Sequence, residues 1–274
     1  NFLEVYAYQY LVDNFGNVPY TEALDMENAT PVYDDASTIY DAIITDLQAA
    51  ASSFDVSAGA GSFASADIIY GGDIEKWKKL AYTLHLKLGI RLADVNASKA
   101  QTMIQASVSA GIFESNDDSA LFNFINTEPL WNPIYDYFVF DSRNSDFVAT
   151  TSALELLQNL SDPRVNVIYD DNIEGGMVGG VYAAEGNSFA SLTHLNPAWT
   201  DDPTLPGNMM DYSLAMFDLA EAAARGFISG DAATYYNLGV EASFAYFDIS
   251  DSVSDYLAAN PYDAANWKES IGTQ

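Results

Sequence analysis

The chain has 274 residues, enough to bury a substantial core, and 49% of them are hydrophobic. Its formal net charge of −29 argues against nucleic acid and anionic membrane surfaces as partners, because both need a basic face on the protein. The absence of cysteine excludes disulfide bonds, thiol nucleophiles and cysteine-bound metal centres within the chain. No apolar run reaches the roughly 18 residues that a membrane-spanning helix needs.

The first part of the sequence predicts four helices, because apolar residues recur there at a helical period. A turn containing Gly16 and Pro19 ends the first helix, and Ser37 is predicted to cap the second. A Gly- and Ser-rich loop precedes the third. The predicted helices cover residues 1–14, 38–54, 74–94 and 97–110.

The middle of the chain, residues 112–210, has a different character. It contains one predicted helix, from Thr151 to Leu160, between long loops rich in Asp, Asn, Gly, Pro and aromatic residues. Two further helices, 211–225 and 231–247, are predicted to form a hairpin of the tetratricopeptide type. We therefore predict a mainly all-α fold with a single domain over residues 1–274, and function in the long loops, since such loops are usually functional.

Catalytic patterns are scarce. Of the two histidines, His85 lies among apolar residues of a predicted helix, and His194 lies in a loop without a recognisable partner. The stretch Gly59–Ala64 fits a relaxed dinucleotide-binding pattern, but no strand precedes it, so we interpret it as a flexible loop. With 39 acidic residues, a pair of carboxylates has no weight as evidence for glycosidase chemistry. The sequence predicts a protein that is not an enzyme.

Residues 170–175 resemble the beginning of a calcium loop, with Asp170, Asn172 and Glu174 at alternate positions before a glycine. The twelfth position of such a loop carries a bidentate glutamate, and here it is Val181. An ordinary glycine-rich turn is the favoured interpretation, and calcium is the alternative. No other cofactor is predicted.

The evidence for a ligand-binding site comes from aromatic residues in two polar loops, around residues 131–143 and 196–208. Flat aromatic rings cover the apolar faces of sugars, while Asn, Asp and Arg bind the hydroxyl rim. The alternative is that these aromatic side chains fill the core beneath the loops, with Phe138 and Phe140 on the buried face of a strand. The predicted ligand-binding residues are Trp131, Asn132, Tyr135, Tyr137, Arg143 and Trp199.

Five stretches, in order, resemble the SusD/RagB family of outer-membrane nutrient-binding lipoproteins. The first contains the turn Gly-Asn-Val-Pro-Tyr, the third contains Lys-Trp-Lys-Lys-Leu-Ala, the fourth is Asp-Pro-Arg, and the last contains Ala-Glu-Ala-Ala-Ala-Arg-Gly. These stretches cover residues 10–23, 31–47, 67–91, 162–164 and 220–243.

The resemblance implies a scaffold of tetratricopeptide-like helix pairs with irregular loop insertions, and binding without catalysis. It also implies a lipid-anchored protein at the surface of the outer membrane of a Bacteroidetes-type cell, where it captures glycans for import by a TonB-dependent, SusC-like transporter. In an alternative function, a protein of the same fold serves as the lid or scaffold of a transporter for another nutrient, such as peptides. The resemblance further suggests that parts at both ends of the natural protein are missing.

Overall fold

The computed structural model describes residues 2–57, 59, 61, 64–171 and 173–274, and this part of the chain is mainly helical. The predicted all-α class is confirmed. The helices are α1 Phe2–Phe15, α2 Ala36–Ser53, α3 Ile74–Leu92, α4 Ala97–Ala110, α5 Pro133–Tyr135, α6 Thr151–Asn159, α7 Val165–Ile168, α8 Pro197–Thr200, α9 Tyr212–Ala224, α10 Ala232–Tyr246, α11 Val253–Ala259 and α12 Trp267–Gly272. The strands are β1 Ala120–Phe122 and β2 Gly207–Met210, which pair in antiparallel fashion.

The chain divides into two compact units. The first comprises Asn1–Glu114 with Arg225–Ser229, and the second comprises Ser115–Ala224 with Gly230–Gln274. Among the described helices of both units, none combines the length and the apolar character that crossing a bilayer demands.

The first unit is built from α1 to α4, each packed against the next. The apolar faces predicted for α2 and α3 are buried, with Ile39, Leu47 and Leu84 fully enclosed. Helices α3 and α4 approach closely at Gly89, where an added Cβ would lie 2.9 Å from the Ile104 Cγ1 atom. A glycine is therefore required at this crossing.

The predicted capping residue of α2 is wrong. The N-cap is Asp35, whose carboxylate accepts hydrogen bonds from the backbone N–H groups of Ser37 and Thr38. Ser37 lies inside the first turn, and its hydroxyl donates to the same carboxylate at 2.5 Å. Both residue types favour an N-cap, but the cap side chain must reach N–H groups two and three residues ahead of it, and only the aspartate is placed for this.

The turn after α1 holds a long exposed loop in place. Asp34 pairs with Val18 in an isolated β-bridge, and its carboxylate accepts the N–H groups of Thr21 and Tyr20 at 2.8 and 2.9 Å. The hydrogen bond from the Thr21 backbone, more than any other cause, lowers the pKa of Asp34. The loop between these anchors exposes large apolar side chains, since Leu24 is 92% accessible.

The second unit contains the predicted helical hairpin, α9 and α10, together with the middle loops. Tyr236, Val240 and Phe244 of α10 form its core with Tyr256 of α11. The buried ion pair between Asp162 and the Arg164 side chain lies beside this core.

Candidate functional site

Asn132 joins the two loops in which the ligand-binding residues were predicted. Its side-chain oxygen accepts the Ile134 N–H at 2.7 Å and so caps α5, while its amide nitrogen donates to the Leu205 carbonyl at 2.6 Å. Its backbone N–H donates to the Pro203 carbonyl at 2.7 Å. Because the side chain is buried and bonded on both ends, its evident role is to hold the loops together. A ligand contact from Asn132 stays a prediction.

Aromatic rings gather on the first loop in what we call the aromatic patch. The Trp131 ring lies 5.5 Å from that of Tyr135 and 5.0 Å from that of Phe140, and the Phe138 and Phe147 rings stack at 4.8 Å. Residues 136–140 form a wide helical turn, so the interpretation of Phe138 and Phe140 as strand residues is wrong. The patch comprises Trp131, Tyr135, Tyr137, Phe138, Phe140 and Phe147.

The patch is substantially open to solvent. Phe140 is 56% accessible, and Tyr137, Phe147 and the neighbouring Ile134 are exposed as well, whereas Trp131, Tyr135 and Phe138 are partly buried. The structure therefore does not support a purely core-filling role for these rings. Neighbouring exposed apolar side chains are typical of ligand or partner sites on proteins.

Tyr137 and Arg143 come together at one side of the patch. The Arg143 guanidinium carbon lies 4.8 Å from the Tyr137 ring centre, and the Arg143 Nε donates to the Asp146 carboxylate at 2.7 Å. The hydrogen bond to Asp146 raises the pKa of Arg143, whose guanidinium remains exposed. Tyr137 offers an aromatic ring and Arg143 offers a cation beside it, a combination that suits a hydroxyl-rich ligand.

Trp199 belongs to α8, which packs against α5, so the second loop does reach the first. Its indole N–H donates to the Val167 carbonyl at 2.8 Å, and its ring packs edge-on against Phe247 at 5.5 Å. The side chain is half-buried. These contacts anchor α8, and ligand contact by Trp199 stays a prediction.

A cavity of about 380 Å³, the loop pocket, adjoins the aromatic patch and shares Phe138 and Phe147 with it. Its walls combine apolar rings with hydroxyl, amide and carboxylate groups. No sequence spacing indicates that these residues come together in one pocket. The lining residues are Phe138, Val139, Ser142, Asn144, Phe147, Asp170, Phe189, His194, Leu195, Pro197, Thr200 and Asp201.

His194 and Phe189 form one wall of the loop pocket. Their rings stack face to face with centres 3.6 Å apart, and the His194 Nε2 donates to the Phe189 carbonyl oxygen at 2.7 Å. The His194 carbonyl in turn accepts the Asp170 N–H, beside the β-bridge that joins Tyr169 and Leu195. His194 is thus a rigid, flat wall element. The only sequence signal for it was its place in a polar loop.

The possible calcium loop begins in this region. Asp170 lines the loop pocket, whereas Asn172 lies outside the described residues. Within the described part of the chain, no group of three or more histidine or acidic side chains is placed to hold a metal ion. In the glycine-rich 59–64 stretch, Ala60, Ser62 and Phe63 also lie outside the described residues.

A larger groove of about 580 Å³ lies in the first unit, between α1, α2 and α3. Its walls are apolar, with Phe2, Phe54 and Trp77 among them, and they carry no titratable group. The Trp77 indole N–H is already bonded to Asp67 at 2.7 Å. Among its described lining residues, Ser53 adds a single hydroxyl group, whereas the loop pocket is lined by several polar side chains. The loop pocket and the aromatic patch are therefore the candidate site.

Comparison with known proteins identifies the family of the chain. The model of the SusD-like family, described as "Starch-binding associating with outer membrane", matches residues 1–274. A solved structure named a chitin-binding protein is 30% identical, with a TM-score of 0.83 over 99% of this chain and 62% of that one. A SusD-like protein from Bacteroides thetaiotaomicron is 29% identical, with a TM-score of 0.81 over 94% and 54% of the two chains.

A SusD homolog from Bacteroides uniformis is 26% identical, with a TM-score of 0.82 over 94% of this chain and 54% of that one. A comparison with curated proteins gives no match. The chain thus spans between 54% and 62% of the length of these three structures.

Proposed function

Since the chain belongs to the SusD-like family, we propose that it is a cell-surface binding protein that captures oligosaccharides. The observation that carries the proposal is the exposed aromatic patch beside the loop pocket, which offers ring faces and polar groups together. Sugar rings stack on exposed aromatic side chains through their C–H faces, and hydroxyl groups need nearby hydrogen-bond partners. The chitin-binding name of one similar structure agrees with a glycan ligand.

The polar groups of the site suit capture better than catalysis. His194 is held by stacking and by a hydrogen bond to a carbonyl, and Arg143 is bound to Asp146. Both side chains are thus fixed in place as parts of a binding surface. The proposed role is therefore ligand binding without bond cleavage.

Trp131→Ala is expected to weaken oligosaccharide binding about tenfold, because the substitution removes the ring that Tyr135 and Phe140 pack against. Isothermal calorimetry with maltoheptaose and with N-acetylglucosamine hexamer is the measurement. Tyr33→Ala is the matched control, because this exposed aromatic residue lies in the first unit, and its loss should leave binding unchanged. Equal losses in both variants, or no binding of any glycan in a broad panel, would contradict the proposal.

We further propose that the protein is lipid-anchored at the outer membrane and delivers its ligand to a TonB-dependent, SusC-like transporter. Support comes from the family description, which places its members at the outer membrane, and from the exposed loop of the first unit. Leu24, Met26 and Tyr33 of that loop are each more than 70% accessible, which is typical of a surface that contacts another protein.

Affinity purification from the native cell envelope is expected to recover a large barrel protein together with this chain. Replacing Leu24 and Met26 by serine should reduce that recovery and leave oligosaccharide binding intact, because the two residues lie outside the candidate site. The Tyr137→Ala variant is the converse control. Recovery of the same barrel protein by a chain that binds peptides and no glycan would favour the alternative, a lid for a peptide transporter.

A further inference from the structure

The described walls of the loop pocket carry negative charge. Asp170 and Asp201 line it, and neither Lys nor Arg is among its described lining residues. Arg143 follows Ser142 in the sequence, but its guanidinium is bound to Asp146 and lies over the Tyr137 ring. A cleft lined by one sign of charge concentrates ligands of the opposite sign, and a chain with a net charge of −29 strengthens this effect.

The two carboxylates differ in the hydrogen bonds that they accept from the protein. The Asp201 Oδ1 atom accepts the Thr200 hydroxyl at 2.7 Å. Asp170 is half-buried, and among the described residues no donor bonds to its carboxylate, although its backbone N–H is bonded to the His194 carbonyl. A partly desolvated carboxylate without a donor is stabilised when a ligand supplies one.

Apolar rings line the same pocket as these acids. Phe138 and Phe147 stack on each other at one wall, and Phe189 stacks on His194 at another. Ring faces attract cations as well as the C–H face of a sugar. The pocket therefore combines surfaces for a sugar ring with acceptors for a positively charged substituent.

Building on the proposed glycan-binding function, we propose that the loop pocket recognises an amino sugar whose free amine is protonated. The ammonium group donates hydrogen bonds to Asp170 and Asp201, while the sugar ring packs against the phenylalanine faces. The same carboxylates repel uronic acids and sulfated sugars. Hydrogen bonds between charged groups are stronger than those between neutral groups, so the pocket selects ligands by their protonated amine.

The test is calorimetry at pH 6 with glucosamine hexamer, its fully N-acetylated counterpart and an oligogalacturonate. The glucosamine hexamer is expected to bind about tenfold more tightly than the acetylated hexamer, and the oligogalacturonate should not bind. Asp170→Asn should abolish most of this preference while leaving the acetylated hexamer unaffected, and Asp201→Asn should act in the same direction. Asp171→Asn is the matched control, because this exposed neighbour does not line the pocket.

The preference should also weaken as salt is raised, because it is electrostatic. Equal affinity for both hexamers, or a preference that persists in both the Asp170→Asn and Asp201→Asn variants, would overturn the proposal. If the amino-sugar proposal fails in this way but acetylated or neutral glycans still bind, the proposed glycan-binding function is retained. Failure of every oligosaccharide to bind would overturn both.

Discussion

Asp162→Ala is expected to lower the free energy of unfolding by about 3–5 kcal/mol, because it leaves the Arg164 guanidinium buried without its carboxylate. Asp162 and Arg164 are 0% and 6% accessible in their side chains. The Arg164 Nε lies 3.0 Å from the Asp162 Oδ1, and its Nη2 lies 2.6 Å from Oδ2. Urea denaturation followed by circular dichroism provides the measurement.

The expected loss of stability in Asp162→Ala is large because the Arg164 side chain is held in its buried position by several contacts. Its Nη1 donates to the Ser243 hydroxyl at 2.8 Å, and its guanidinium carbon lies 5.1 Å from the Phe244 ring centre and 5.5 Å from that of Tyr256. Burial alone lowers the pKa of Arg164, but the hydrogen bonds and charge of Asp162 outweigh it, so the net shift is upward. The carboxylate is thus what makes a buried cation tolerable in this core.

A matched control lies in the same unit. Arg143 and Asp146 form an exposed ion pair at 2.5 Å, and Asp146→Ala is expected to change the free energy of unfolding far less than Asp162→Ala because solvent screens the charges. Replacing both members of the buried pair, with Asp162→Ala and Arg164→Met, should recover part of the loss of the single variant. A loss in Asp162→Ala no greater than that in Asp146→Ala would contradict this account of the pair.

The helical scaffold was predictable because its signals are local. Apolar residues at a helical period mark α2, α3, α9 and α10, and the structure buries those faces. Glycines mark the ends of helices where a left-handed backbone is needed, as at Gly16, which has a φ of 72°. The misassigned cap of α2 shows the limit, since two neighbouring residues both had suitable side chains and only the geometry separates them.

The candidate site was only partly predictable because it is assembled by contacts distant in sequence. The aromatic density of residues 131–140 is a local signal, and it located the patch. The loop pocket joins Phe138, Asp170, His194 and Asp201, which come from separate loops without a common spacing. Asn132 illustrates the same limit, because its carbonyl partners at 203 and 205 make it a residue that joins the loops, and no sequence pattern indicates this.

His85 is expected to make the stability of the first unit depend on pH. It is buried on α3, and burial is the main cause that lowers its pKa to about 4, with the charge of Lys99 adding to the effect. The folded state therefore binds fewer protons than the unfolded state between pH 4 and about 6.5. The stability from His85 is fully present above pH 6.5 and decreases as the pH falls, by about 2 kcal/mol between pH 7.5 and 5.

The hydrogen bonds of His85 explain why the neutral ring is required. The Ser107 hydroxyl donates to the Met103 carbonyl at 3.0 Å, so its oxygen is left to accept the Nδ1–H of His85 at 2.8 Å. The His85 Nε2 then accepts from the Gln48 amide nitrogen at 3.0 Å. A proton on Nε2 would place two donors against each other in a buried site, which is costly because neither can be satisfied.

The difference in unfolding free energy between the natural chain and His85→Gln isolates this contribution, because the carboxylates titrate alike in both. That difference should shrink as the pH is lowered from 7.5 to 5. Since the chain has only two histidines, a His194→Gln variant leaves one imidazole signal for a direct NMR titration. A midpoint near 6.5 for that signal would contradict the account, whereas a ring that stays neutral down to pH 5 would show that α3 and α4 are held together by an uncharged histidine.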